Sequence, residues 1–131
     1  MFSGSTWPIR TKTGNNVDEL PKKFPLFFAR VKYAECDEGW TQLIEELCSK
    51  VEPLLQAFID EGHHAPCASQ VKEKYGGLRV YMSESTEEIE ALIEEAEDKS
   101  LITCEVCGSP GETVGKWWIK TLCEKHRGGY E

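Results

Sequence analysis

The chain has 131 residues, 40% apolar and 29% charged, with six cysteines and a formal net charge of −8, a profile of one soluble globular domain with or without an appended module. The negative balance argues against nonspecific binding to nucleic acid or anionic lipid. No basic stretch followed by an apolar run opens the chain and no segment approaches membrane-spanning length, so neither a secretory leader nor a membrane anchor is expected, and the cysteine usage points to a reducing cytoplasm.

Residues 1–23 are rich in Ser, Thr, Gly, Asn and Lys, carry Pro8 and Pro21, and lack apolar periodicity, which reads as a flexible basic arm that Trp7 and Ile9 would pin at most loosely. Residues 10–32 hold a local excess of four positive charges. An α+β core is expected over 24–102. It begins with an aromatic stretch, Phe24 to Ala34, in which Pro25 interrupts any continuous helix or central strand.

From Trp40 the apolar positions Leu43, Ile44, Leu47, Cys48, Val51, Leu54, Leu55, Phe58 and Ile59 follow the 3.6-residue period and predict the main core helix. Pro53 lacks an N–H and predicts a kink or a break within it. Cys48 belongs to the buried stripe, whereas Cys36 and Cys67 lie outside it and are expected to be more accessible. A second metal site or a Cys-His nucleophile pair from Cys36, His63, His64 and Cys67 is the weaker reading, because these residues lack paired ligand spacing and a third orienting group.

Residues 70–82 read as a β-hairpin turning on Gly76 and Gly77, where a two-residue turn needs positive φ twice. That register sets Lys74 opposite Arg79 and Lys72 opposite Tyr81. It leaves one face apolar and the other basic, with a like-charge cross-strand pair that something anionic should answer. Ser85 and Glu88 form a capping-box pattern that opens the next helix, with Ile89, Leu92, Ile93, Ala96 and Leu101 on its buried stripe. Eight carboxylates and no base occupy residues 84–98. They form either a solvated face or a surface that docks on a basic element of this chain or of a partner.

Residues 103–131 carry the strongest motif: Cys104 and Cys107, then fifteen residues, then Cys123 and His126. Three thiols and one imidazole in two pairs suit a closed tetrahedral Zn²⁺ site with a structural role. Thr113 to Leu122 predicts a hairpin around Gly115, and Cys123 to His126 a short helix cut off by Gly128 and Gly129, the layout of a treble-clef-like or zinc-ribbon module packed on the core. Trp117 and Trp118 would point to opposite faces of a strand, so at most one would pack inward.

Phe24-Pro-Leu-Phe, Gly39-Trp40-Thr-Gln-Leu-Ile, the run from Gln70 to Tyr81, Ala96-Glu with Ser100, and the Cys104 to His126 segment together resemble a family of small uncharacterised proteins from bacteriophages, prophages and bacterial genomes, over roughly residues 24–127. The resemblance implies a cytoplasmic, phage-associated accessory protein and no particular activity. No catalytic constellation is legible, so the expected function is a zinc-stabilised, non-enzymatic interaction protein acting on a host or phage macromolecule, with a protein partner. The alternative is a nucleotide or nucleic-acid binder using Lys72, Lys74, Arg79 and Tyr81 on the hairpin. Trp117 and Trp118 complete the candidate binding residues.

Overall fold

A computed structural model describes residues 17–128. Among these residues the architecture is α+β, with three helices and two separate two-stranded antiparallel sheets. Residues 1–16 of the expected arm, with Trp7 and Ile9, and residues 129–131 lie outside the described residues. The remainder of that arm is part of the core: Val17–Glu19 forms a 3-10 turn, α1 spans Leu20–Lys23, and Val17 and Leu20 are buried. Two apolar residues at i and i+3 were enough to dock a segment whose composition reads as a linker.

The chain then runs through turns to Ala34. Pro25 excludes a strand here, and the backbone finds another partner: both oxygens of Glu52 accept, from the Leu26 N–H at 2.8 Å and the Phe27 N–H at 2.9 Å. Phe27 and Phe28 go into the core edge to face, with ring centroids 4.9 Å apart.

Helix α2, Thr41–Asp60, follows a 3-10 turn at Glu38–Trp40 and buries Leu43, Ile44, Leu47, Cys48, Val51 and Leu55. The expected break at Pro53 does not occur. Proline in a helix interior costs about 3 kcal/mol, but Val51 and Leu55 on either side are fully buried, and each such side chain contributes roughly 1.5–3 kcal/mol. Pro53 and Ser49, whose carbonyl loses its partner, both face solvent.

Strands β1 (Ala68–Lys74) and β2 (Gly77–Met82) form the hairpin that lies under α2 and α3. The turn is one position earlier than expected: Tyr75 and Gly76 are its central residues, with φ of 54° and 82°. Lys72 therefore stands opposite Arg79, and Lys74 opposite Gly77. A two-residue turn displaced by one position moves every partner by two, so the faces keep their identity. Both glycines sit where tertiary neighbours close in: a Cβ on Gly77 would lie 3.2 Å from Leu101 Cδ2, and one on Gly76 3.2 Å from the Lys120 backbone.

Both edges of this small sheet are covered. Beside β1, the Glu35 N–H donates to Val71 O and the Glu73 N–H to Glu35 O. Along β2, side chains of α3 (Glu87–Ser100) cap the free backbone: Ser100 Oγ accepts from the Leu78 N–H at 2.9 Å and a Glu97 oxygen from the Val80 N–H at 3.1 Å. The helix thereby removes the exposed donors that invite edge pairing. Its N-cap is Thr86, which accepts from the Ile89 N–H, rather than the expected Ser85.

Two short strands, β3 (Glu112–Val114) and β4 (Lys120–Leu122), pair in the C-terminal module. The expected helix at Cys123 to His126 is a turn, closed by the His126 N–H donating to Cys123 O at 3.0 Å. Two ligand-bearing turns thus flank a hairpin, and the helix that a treble clef would need is absent among the described residues.

Candidate metal centre

The C-terminal module has almost no apolar core of its own: Cys104, Leu122 and Cys123 are buried together, with Val114 against them. Backbone turns aim its ligands instead. The Cys104 N–H donates to Ser109 O and the Gly108 N–H to Cys104 O, with Gly108 at φ +84°, so the first pair sits on one tight turn. β3 and β4 carry the chain back, and the second turn presents Cys123 and His126.

The four ligand atoms all lie within 4.8 Å of one another. Cys107 Sγ to Cys123 Sγ is 3.7 Å, Cys104 Sγ to His126 Nδ1 is 3.7 Å, and Cys123 Sγ to His126 Nδ1 is 3.1 Å. Thiolate bonds of about 2.3 Å and imidazole bonds of about 2.0 Å to a tetrahedral centre require ligand separations of about 3.5–3.8 Å. Two of the three separations meet that requirement, and a bound ion would widen the third by about half an ångström. The cluster could therefore hold one metal ion, with Nδ1 as the imidazole donor. Burial pushes the Cys104 thiol up, whereas hydrogen bonding to the Ser109 side chain draws Cys107 down to about 6, toward the thiolate that a metal requires.

What fixes the cluster to the core is an unexpected polar contact. Glu105, between the first two ligands, is 3% exposed. Its carboxylate takes the Asp37 N–H at 3.2 Å and lies 3.2 Å from Lys120 Nζ, which is also 3.5 Å from Glu73. Burial raises the Glu105 carboxyl above its usual range, outweighing the pull of Lys120. Burial alone would lower the Lys120 amine, but Glu105 and Glu73 together leave it raised. No spacing rule marks Glu105, Lys120 or Glu73; only their burial does.

Two further contacts complete the dock. The Trp40 indole N–H donates to Thr103 O at 2.9 Å, and the Gly39 N–H donates to Glu105 O at 2.7 Å. A Cβ at Gly39 would sit 2.2 Å from Cys104 O, so only glycine allows this approach.

Lys72, Lys74, Arg79 and Tyr81 share the outer hairpin face, as the sequence predicts. Trp117 and Trp118 lie on the loop between β3 and β4 and not on a strand as expected, and they are 96% and 69% exposed, so neither packs inward, within the expected limit of at most one. These residues fall outside either strand, so the alternation argument does not govern them. Cys36, His63, His64 and Cys67 form no cluster among the described residues. The histidines are exposed, whereas Cys36 and Cys67 are buried, contrary to the expected accessibility. Both cysteines flank core segments, Ala34 on one side and Ala68 on the other, and small apolar side chains follow their neighbours inward. No described helix is long and apolar enough to cross a membrane.

Comparison of the chain with protein-family models, with curated proteins and with solved structures found no match.

Proposed function

We propose that this chain is a small, zinc-stabilised, non-enzymatic interaction protein, phage-associated and acting in the host cytoplasm on a host or phage protein. The zinc is structural. Four protein ligands leave no position for water, so the metal supplies no Lewis acid and no activated hydroxide. Its role is to close a module whose own apolar core is three residues, too small to fold unaided.

One observation carries the partner reading: adjacent Trp117 and Trp118 are 96% and 69% exposed on a loop held by that module. Tryptophan side chains bury about 150–250 Å² each and are over-represented among the residues that dominate interface energetics. A loop that displays two of them supports docking into a partner's pockets. The test is affinity capture with the tagged, zinc-loaded chain against Trp117→Ala/Trp118→Ala, followed by a binding measurement with the purified candidate. The double variant should keep its zinc and fold and weaken binding at least tenfold. Equal binding by the variant would remove the tryptophan loop from the interface.

A further inference from the structure

A second surface, independent of the tryptophan loop, has features that a protein-docking reading does not use. On the outer face of the β1–β2 hairpin, Lys72 stands directly opposite Arg79, Lys74 is two residues along β1, and Tyr81 is two residues along β2. Directly opposed like charges destabilise a strand pair. Among the described residues, no carboxylate is ion-paired to Lys72, Lys74 or Arg79. Six other bases, Lys22, Lys23, Lys50, Lys99, Lys120 and Arg127, have a carboxylate partner, whereas Arg30, Lys32, Lys116 and Lys125 also have none among the described residues, so it is the direct opposition of Lys72 and Arg79 that sets this face apart. Glu35, bridged to Lys72, and Glu90 and Glu94, across a groove from Arg79, flank this face without an ion pair to it, and other nearby acids are engaged elsewhere. Glu73 faces the opposite side, where it takes the Gly76 N–H and Lys120. Glu97 takes the Val80 N–H, and Glu95 pairs with Lys50 of α2.

Aromatic rings interleave with these cations. Tyr81 is 42% exposed, with the Lys72 amine 5.9 Å from its ring centroid, and Tyr75 is 68% exposed, with Lys74 5.7 Å from its own. Each ring is exposed but carries a lysine ammonium over one face, leaving the other face to a base, and charge for phosphates with flat faces for bases are the two elements of a single-strand site. An acidic protein segment would use the charges and leave the rings idle. The acids of α3 set the limit on size. Glu90, Glu94 and Glu97 form the far wall of the groove beside Arg79 and Tyr81, and they would repel the second strand of a duplex.

We propose that the outer hairpin face binds a short stretch of single-stranded nucleic acid, with Lys72, Lys74 and Arg79 on consecutive phosphates and Tyr81 and Tyr75 stacking on bases. The opposed pair then costs stability in the free protein and is answered by the ligand.

The test is fluorescence anisotropy of a labelled oligothymidylate of about ten nucleotides with the zinc-loaded full chain. Neutralising three phosphates on a single strand predicts affinity falling roughly 20-fold between about 50 and about 200 mM salt. Lys72→Gln/Arg79→Gln should abolish binding while melting no lower than wild type, because it removes the repulsion. Tyr81→Ala should weaken binding at least about fivefold, and Tyr81→Phe should restore it. Trp117→Ala/Trp118→Ala should leave it intact, which separates this site from the protein-docking loop. The proposal is overturned if the oligonucleotide does not bind, if Lys72→Gln/Arg79→Gln binds as wild type does, or if polyglutamate of equal charge competes as well as unlabelled oligonucleotide. That last outcome would assign the face to an acidic protein.

Discussion

The buried hydroxyl of Thr121 donates a 2.6 Å hydrogen bond to the backbone carbonyl of Gly76, tying the hairpin of the candidate metal site to the turn of the core hairpin. Gly76 at φ +82° cannot accept a side chain without strain, and a Cβ there would meet the Lys120 backbone at 3.2 Å. Thr121→Val keeps the shape and removes the donor, leaving a buried carbonyl unpaired. It should cost about 1–2 kcal/mol, read from denaturant unfolding of the zinc-loaded protein, and Thr121→Ser should recover most of it. A valine variant as stable as wild type would mean that water replaces the contact.

Gly39→Ala puts a methyl group into the Cys104 and Glu105 carbonyls, which are backbone and cannot rotate away. The expected loss is about 3 kcal/mol or more. Zinc content should stay at one equivalent, since all four ligands lie within Cys104 to His126. Loss of metal together with stability would show that the docked core, and not the module alone, shapes the site.

Lys120 links two carboxylates, Glu73 and the buried Glu105. Removing one partner of a buried pair leaves an uncompensated charge, so Lys120→Met should cost about 3 kcal/mol near neutral pH, and Glu105→Gln less, because the amide oxygen still accepts from Asp37. The sign with pH follows from the raised Glu105 carboxyl: a group that holds its proton more tightly when folded favours the folded state at low pH and loses that contribution as pH rises through its folded value. Without Lys120 the carboxyl rises further. The deficit of Lys120→Met relative to wild type should therefore shrink on acidification, and a deficit that widens would contradict the assignment.

Zinc analysis of protein purified without chelator should give one equivalent per chain, and Cys104→Ala or Cys123→Ala should lose it. Apparent binding energies of roughly 10–16 kcal/mol for such sites mean that chelation should abolish cooperative folding of the module. Retention of a full equivalent in either variant would place the metal elsewhere.

Thiol labelling reads the burial of the cysteines directly. Cys48 is fully buried on α2, and burial, then the charges of Glu52 and Glu45, push its thiol far up. Cys36 and Cys67 are buried as well. In the zinc-loaded protein all three should stay unlabelled until global unfolding, while chelation exposes Cys107 first, since it is the exposed member of the cluster. Rapid labelling of Cys36 or Cys67 in the folded protein would show that their segments open locally.

Patterns that depend on neighbours along the chain were legible. The stripe from Leu43 to Leu55 specifies α2 because a 3.6-residue repeat can be buried in only one way, and the Cys104 to His126 spacing specifies four ligands because each pair fits one turn. The basic face of the β1–β2 hairpin survived a misplaced turn because strand periodicity is two, and so is the displacement of partners.

By itself, then, the sequence determined α2, α3, the two hairpins, the four residues of the candidate metal cluster and the division of the β1–β2 hairpin into an apolar and a basic face, all of which follow from local periodicity and short-range geometry. Tertiary structure decided the rest. It placed the turn at Tyr75 and Gly76, with Gly77 beside Leu101, and it carried α2 through Pro53 because burial on both sides outweighs one lost hydrogen bond. It buried Glu105 between Asp37 and Lys120, and left Trp117 and Trp118 in solvent. Each of these outcomes depends on what lies across space from a residue, and the energy of burial or of an ion pair is set by that neighbour rather than by anything within a turn of the chain.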